Sequence, residues 1–120
     1  MKKRISSFGY ALKGLRLFFR TQPNARIHCV ILLFVVILGA FLKLNVWEWM
    51  AICFAAGLVF VAELLNTAVE LLVDLVSPDF NELAGKVKDV AAGAVLVAAI
   101  IAVVIGLLVF FPRIMCFLHV

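Results

Sequence analysis

The charge-free stretches of this chain constrain its fold more than any other feature. No charged residue lies between Glu48 and Glu63. Two further apolar runs cover about residues 27–42 and 90–111. Hydrophobic residues make up 67% of the 120-residue chain and charged residues 15%, a composition far from that of a soluble domain. A helix needs roughly 20 residues to cross the hydrocarbon of a bilayer. The sequence therefore predicts an integral membrane protein with three spanning helices in a single domain, residues 1–120.

The N-terminal residues predict a helix that lies on the membrane surface. Apolar side chains recur there at spacings of three and four, and basic side chains fall on another face. The apolar positions are Ile5, Phe8, Leu12, Leu15 and Phe19, and the basic ones are Lys13, Arg16 and Arg20. This pattern suits an anionic membrane surface, although a solvated helix packed on a partner has the same pattern. We predict a surface helix over residues 1–22, ended by the Thr21-Gln22-Pro23-Asn24 stretch.

Three membrane helices are predicted after that break. Their expected bounds are about 27–42, 47–76 and 90–111. Trp47 marks a membrane interface, as amphipathic rings do at headgroup level. Ser77-Pro78-Asp79 is a turn signal and Gly85 a helix breaker, so residues 77–87 are predicted to form a polar loop. Pro112 is expected to end the third membrane helix.

The distribution of Lys and Arg predicts the orientation in the membrane. Seven of these residues precede the first span and two lie in the second loop, whereas only Lys43 and Arg113 fall on the opposite side. The positive-inside rule then places the N-terminal helix in the cytoplasm. We expect a multi-pass protein of the bacterial inner (cytoplasmic) membrane, with no cleaved signal peptide and no nucleic-acid partner. Cys29, Cys53 and Cys116 form neither a disulfide framework nor a metal-binding pair and are predicted to be small core residues.

Four polar residues follow one face of the second predicted span. They are Glu63, Asn66, Glu70 and Asp74. Counting about 20 residues at 1.5 Å each from Trp47 brings Glu63 just inside the inner edge of the hydrocarbon. A carboxylate at that depth is costly and marks a functional site by default, although a protonated Glu63 would also suit a simple hydrogen bond to another helix.

The residues around this polar face favour chemistry at the lipid–water boundary. Lys88 and Asp89 open the third span at the same depth, beside a predicted loop that contains Asn81. Phosphoryl transfer needs carboxylates that hold Mg²⁺, a cation near the phosphates and a base that faces the attacking hydroxyl. The glycine-rich phosphate loop of soluble nucleotide-binding enzymes is absent from the sequence. Spacing alone therefore leaves the reaction open.

The stretch Glu63-Leu-Leu-Asn66-Thr-Ala-Val-Glu70-Leu-Leu-Val-Asp74 resembles the signature of the prokaryotic diacylglycerol kinase family at every specified position. Residues 82–89 and 9–16 also resemble that family, and the similarity extends over nearly the whole chain. The resemblance implies an ATP-dependent membrane lipid kinase that uses Mg²⁺ and works as a homotrimer, with active sites between subunits. A seam of small residues in the third span supports close helix packing: Ala91, Ala94, Ala98 and Ala102.

The resemblance also implies roles for individual residues. Glu63 would be the general base facing the lipid hydroxyl, Asn66 would help to orient it, and Glu70 would hold Mg²⁺. The nucleotide-binding positions implied by the resemblance are Lys3, Tyr10, Gln22, Glu70, Asn81, Lys88 and Asp89. Gln22 stands where the family usually has a second metal-binding glutamate, so a metal site of Glu70 and Gln22 would carry less charge. His28 is predicted to cap the first span rather than to bind metal.

Three functions agree with these features. The first is phosphorylation of diacylglycerol to phosphatidic acid, and the second is the sister reaction on undecaprenol. The third is a non-catalytic membrane oligomer whose polar face lines a passage. A conducting path needs polar groups through the bilayer, whereas the first and third spans are apolar and the charge clusters at the inner edge. Interfacial lipid kinase chemistry is therefore the preferred prediction, with diacylglycerol as the first choice of lipid and undecaprenol as the alternative.

Overall fold

The computed structural model describes residues 1–119 and consists of four helices. They are α1 (Lys2–Thr21), α2 (Pro23–Phe41), α3 (Val46–Val76) and α4 (Glu82–Phe117). The last three helices are each long and apolar enough to cross a membrane. The predicted all-helical class, with one N-terminal helix followed by three membrane helices, is confirmed.

A single residue separates α1 from α2. Gln22 has extended backbone torsions, with φ −101° and ψ 111°, and Pro23 is the first residue of α2. Proline fits the first turn of a helix, where its missing N–H would have no partner, but it disfavours helix in the residue before it. The predicted break is confirmed, and α2 begins four residues before the predicted first span.

Most of the surface of α1 is not covered by the rest of the chain. Within the described residues its buried side chain is Phe18, whose ring packs edge-on against Phe19 with centroids 5.2 Å apart. The Phe19 ring in turn lies 6.2 Å from Phe60 of α3. Ile5 and Phe8 are 68% and 74% exposed. The predicted apolar face is therefore open, as a helix that enters the headgroup boundary requires.

The helices α3 and α4 pack against each other more extensively than the other pairs in the described chain. Their buried side chains are Ile52, Ala55, Val59, Glu63, Thr67, Ala98 and Val109. An ion pair lies near each end of this helical hairpin: Glu48 with Arg113, and Asp74 with Lys88. At 1.5 Å per residue Glu48 and Asp74 are roughly 39 Å apart along α3. That length is close to the thickness of a bilayer with its headgroups, about 40–45 Å.

The end of the hairpin near Glu48 is held by several polar contacts. Asn45 and Glu48 form a reciprocal cap, in which each side chain accepts the backbone N–H of the other at 2.9 Å. Arg113 donates to both carboxylate oxygens of Glu48, at 3.1 and 2.7 Å. Gly39 of α2 lies so close to Trp49 that an added Cβ would be 2.7 Å from the ring. These contacts hold α2, α3 and α4 together at this end of the hairpin.

The loop between α3 and α4 is shorter than the predicted polar loop of residues 77–87. The helix α4 begins at Glu82, and Gly85 lies inside it. The cause is the Asn81 side chain, whose Oδ1 accepts the N–H of Ala84 at 3.1 Å and so provides the helix cap. A single glycine costs a helix only about 1 kcal/mol relative to alanine, which is too little to break a capped helix.

The predicted end of the third span at Pro112 is wrong. Pro112 lies inside α4, which continues to Phe117. Proline removes the N–H that would bond the carbonyl of Leu108. The next residue, Arg113, is held to Glu48 of α3 by two hydrogen bonds, and this contact keeps the following turn against the hairpin.

The three cysteines do not lie in the core of the chain. Cys29, Cys53 and Cys116 are all exposed and unbonded. The prediction that they are small core residues is therefore wrong. In a membrane helix an apolar neighbourhood in the sequence does not separate side chains that face lipid from side chains that face another helix, because both surroundings are apolar.

Candidate active site

The four predicted polar residues lie on one continuous helix. Residues 63–74 all belong to α3, which ends at Val76, so the spacings of three and four put the four side chains on one face. Glu63 is buried, with 4% of its surface exposed, and Thr67 beside it is 7% exposed. Glu63 and Glu70 are about 10 Å apart along the axis at 1.5 Å per residue. The face therefore runs from the buried interior toward the polar loop.

The Glu63 carboxylate has its side-chain partner on α2. His28 Nε2 lies 3.2 Å from Glu63 Oε1, and the two side chains are 24% and 5% exposed. An ionised carboxylate only accepts hydrogen bonds, so this contact requires the imidazole proton on Nε2. Thr67 Oγ1 donates to the backbone carbonyl of Glu63 at 2.9 Å and so makes no hydrogen bond to the Glu63 carboxylate.

Asn66 and Glu70 form a second polar pair one turn further along α3. Asn66 Nδ2 donates to Glu70 Oε1 at 3.3 Å. The Oδ1 atom of Asn66 is buried and has no hydrogen-bond partner among residues 1–119. A buried carbonyl oxygen without a partner costs about 1–3 kcal/mol. This oxygen is thus available to a bound ligand, while the amide nitrogen of Asn66 is directed to Glu70.

At the end of this face nearest the α3–α4 loop, Lys88 connects α4 to α3. Its Nζ lies 2.6 Å from Asp74 Oδ1, and the two side chains are 40% and 63% exposed. Ion pairs with this exposure contribute little to stability. The predicted nucleotide-binding cation is therefore held near the carboxylates of α3 by a weak and exchangeable contact.

Two apolar grooves flank α3, and each has one polar residue in its lining. One has a volume of about 450 Å³ and runs from His28 between α2, α3 and α4 past Phe60 to Gly106. The other, about 540 Å³, lies between α3 and α4 and is lined by Asn66 among apolar side chains. The predicted alanine seam is divided between them. Ala91, Ala94 and Ala98 line the second groove, and Ala102 lines the first.

The buried carboxylate, the second carboxylate, the amide and the lysine described above all lie within the part of the chain that a family model matches. The sequence model of the family described as prokaryotic diacylglycerol kinase matches residues 9–110. The chain belongs to the prokaryotic diacylglycerol kinase family. The resemblance read from residues 63–74 is confirmed, and so is the prediction of a lipid kinase.

Members of this family that resemble the chain carry two different names. An undecaprenol kinase of Bacillus subtilis is 41% identical over 113 residues, which cover 94% of this chain and 92% of that protein. A diacylglycerol kinase of Synechocystis is 45% identical over 101 residues, which cover 83% of this chain and 58% of that protein. The diacylglycerol kinase of Escherichia coli K12 is 33% identical over 100 residues, 83% of this chain and 82% of that protein.

The other predicted site residues of this family member lie outside the α3 face and, in the described part of the chain, do not bond to its carboxylates. Lys3 and Tyr10 are exposed on α1, and Lys13 Nζ lies 5.7 Å from the centre of the Tyr10 ring. Gln22 is the residue between α1 and α2, Asn81 caps α4, and Asp89 is exposed. Within residues 1–119 none of these five side chains bonds to Glu63 or Glu70.

The donors available for a cation are oxygen atoms. Within the described part of the chain, no cluster of three or more histidine, cysteine, aspartate or glutamate side chains could hold a metal. Mg²⁺ does not need such a cluster, because it is usually bound by one or two carboxylates together with waters and substrate phosphates. The Glu70 carboxylate and the unpartnered Asn66 Oδ1 fit that requirement.

Sequence reasoning missed the role of His28. It is the sixth residue of α2, so it cannot cap the start of that helix, and the predicted capping role is wrong. One signal in the sequence pointed to a polar role for His28 without identifying its partner. His28 is the polar side chain in an otherwise apolar first span, and a carboxylate at the edge of the hydrocarbon needs a polar partner.

Proposed function

We propose that this chain transfers the γ-phosphoryl group of ATP to the hydroxyl of a membrane lipid, with Glu63 as the general base. The observation that carries the proposal is the Glu63 carboxylate, which is 4% exposed and has one side-chain hydrogen bond, from His28. A buried carboxylate that keeps unused acceptor sites is suited to take a proton from a bound hydroxyl.

In the proposed reaction the γ-phosphoryl group moves from ATP to the lipid oxygen. The lipid oxygen forms a bond to the γ-phosphorus, the bond from that phosphorus to the bridging β–γ oxygen breaks, and ADP leaves. The hydroxyl proton passes to Glu63. Phosphoryl transfer depends mainly on positioning and on stabilising charge. The depth of Glu63 supports its part, because about 20 residues of α3 separate Trp47 from the inner hydrocarbon edge.

We assign Glu70, with Gln22, to Mg²⁺ binding. When bound, Mg²⁺ neutralises charge on the phosphates. Asn66 supports this assignment, because its amide group already contacts Glu70 and its buried Oδ1 has no partner among the described residues. Gln22 brings a carbonyl oxygen but no charge, so we expect a weaker metal site than one with two carboxylates.

On the aqueous side we assign the nucleotide to Lys88, Asp89 and Asn81, together with Lys3 and Tyr10 of α1. Lys88 can exchange its exposed contact with Asp74 for a phosphate oxygen at little cost. Lys3 and Tyr10 are exposed on α1, and within residues 1–119 neither side chain forms a hydrogen bond or an ion pair with the α3 face. A homotrimer with active sites between subunits would supply them from a neighbouring copy, and we propose that assembly.

Undecaprenol and diacylglycerol are the two candidate lipids. The alignment with the Bacillus subtilis undecaprenol kinase covers 94% of this chain and favours undecaprenol, whereas the 45% identity with the Synechocystis diacylglycerol kinase favours diacylglycerol. Both lipids carry a hydroxyl at headgroup level, and an apolar groove of about 450 Å³ beside His28 would accept part of either tail. We propose undecaprenol first, because that alignment covers nearly all of both chains.

We also propose the location and orientation that the charges support. Seven Lys and Arg residues precede the first span, and this excess favours a cytoplasmic N-terminus in the inner membrane of a bacterium. ATP is then available on the side where the polar end of the α3–α4 hairpin lies. A protease or a thiol reagent that cannot cross the membrane tests this orientation, with a tag at the N-terminus as the target.

The function is tested by offering γ-labelled ATP and Mg²⁺ to the purified protein in mixed micelles. One reaction contains undecaprenol, one contains diacylglycerol, and matched controls contain the same lipids with the hydroxyl acetylated. We expect label in one or both free alcohols and none in the acetylated lipids. Label in neither alcohol would contradict the kinase proposal, and label in diacylglycerol alone would contradict the choice of undecaprenol.

A further inference from the structure

The contact between His28 and Glu63 joins two helices at the buried end of the polar face. His28 Nε2 lies 3.2 Å from Glu63 Oε1, while Oε2 makes no hydrogen bond within residues 1–119. The contact is also confined on its other side, because the Phe60 ring packs edge-on against the imidazole with centroids 6.1 Å apart. The imidazole is therefore held by an aromatic ring while it bonds one of the two carboxylate oxygens.

The His28–Glu63 contact would have a purely structural role if α2 and α3 had no other contact to hold them together. The helices α2 and α3 contact each other much less than α3 and α4 do, and at their other end Gly39 packs directly on Trp49. An apolar contact there already holds the pair of helices. The polar contact at Glu63 instead lowers the stability of the fold, because a carboxylate that is 4% exposed is costly to bury.

His28 is also where the polar site meets the apolar groove. It lines the groove of about 450 Å³ together with Val59, Phe60 and apolar residues of α2 and α4. A lipid tail in that groove would bring its hydroxyl to the same end at which His28 touches Glu63. The imidazole thus lies between the tail-binding surface and the base.

We propose that His28 is a positioning residue, which holds Glu63 through Oε1 so that Oε2 faces the lipid hydroxyl at the mouth of this groove. The role rests on the proposed lipid kinase function. An imidazole that donates from Nε2 occupies one carboxylate oxygen and leaves the lone pairs of the other available. A base displaced by 1 Å can cost a reaction about 100-fold in rate.

The test compares His28→Leu, which removes the donor, with His28→Gln, which keeps an N–H in reach of Glu63. His119→Gln is the control, because His119 is exposed near the chain terminus. We expect His28→Leu to lower kcat by about 10- to 100-fold while the KM values for ATP and lipid stay within about twofold. We expect His28→Gln to recover part of that loss and His119→Gln to match the unsubstituted protein.

A double-substitution cycle separates action through Glu63 from an independent effect. Glu63→Asp shortens the side chain and breaks the contact with His28, so adding His28→Leu should then cost little more. Losses that multiply in the double variant would contradict the positioning role, as would unchanged kcat in His28→Leu or an effect on KM alone. Helicity and micelle elution volume of each variant verify folding. No transfer by the unsubstituted protein would overturn the kinase function itself, whereas an active protein insensitive to His28→Leu overturns only this inference.

Discussion

The ammonium nitrogen of Lys88 on α4 lies 2.6 Å from Oδ1 of Asp74 on α3. The cation assigned to the nucleotide therefore has a partner within the protein. Because both side chains are substantially exposed, this partner is exchangeable. Asp74 keeps Lys88 directed toward the α3 face, where Glu70 lies one turn away, and a phosphate oxygen can replace Asp74 when ATP binds.

The first prediction concerns this cation. Lys88→Ala should raise the KM for ATP about tenfold or more, because a charged hydrogen bond to phosphate is lost, while the KM for the lipid stays unchanged. Lys86→Ala is the matched control, since Lys86 is exposed and its salt-bridge partner is Glu82, also exposed, at 4.0 Å. Initial rates at varied ATP measure the effect. An unchanged KM for ATP in Lys88→Ala would remove Lys88 from the nucleotide site.

The second prediction concerns the metal. Gln22→Glu adds a carboxylate where a neutral amide stands, so it should lower the Mg²⁺ concentration that gives half of the maximal rate. The measurement is a Mg²⁺ titration at fixed ATP. Thr21→Glu adds the same charge one residue away and should not reproduce the effect. An unchanged or raised requirement in Gln22→Glu would exclude position 22 as a metal ligand.

The third prediction concerns the packing of α2 on α3. Gly39→Ala should destabilise the fold by about 1–3 kcal/mol, because its Cβ would be 2.7 Å from the Trp49 ring. Gly57→Ala meets nothing within 4 Å and should be neutral or stabilising, since alanine favours helix over glycine. Thermal unfolding of both variants in one detergent compares them. Equal melting temperatures for the two would contradict the close packing at Gly39.

The fourth prediction concerns the ion pair at the opposite end of the hairpin. Glu48→Gln and Arg113→Gln should each lower the melting temperature, because each leaves a partly buried charge without its partner. The double variant should lose less than the two single losses added together, since it leaves no unpaired charge. Additive losses would show that the two side chains act separately and that the paired contact does not hold the turn after Pro112.

The membrane helices were predictable because apolar length is a strong signal. A run without charge has few structures open to it in a bilayer, so the all-helical class follows from residues 27–42, 47–76 and 90–111. The helix ends were harder. Gly85 and Pro112 normally weaken a helix. The Asn81 cap outweighs the effect of Gly85, and it depends on the geometry of the helix start. The Glu48–Arg113 contact outweighs the effect of Pro112, and it depends on a residue of another helix.

The site was only partly predictable from the sequence. Spacing along one helix placed Glu63, Asn66 and Glu70 on a common face, since all three belong to α3. Spacing gives no information on which helix lies opposite, so the His28–Glu63 contact was missed. Contacts between helices are set by their packing, which a periodic pattern does not specify.

The most direct measurement of the central claim compares Glu63→Gln with Glu82→Gln in the phosphoryl-transfer assay. Both variants replace a glutamate by its amide, but Glu82 is exposed at the start of α4 and Glu63 is buried beside His28. If Glu63 is the base, Glu63→Gln lowers kcat by about 10²- to 10⁴-fold with helicity retained, and Glu82→Gln leaves it within about twofold. A folded Glu63→Gln protein that keeps near-full kcat would contradict the assignment of Glu63 as the base.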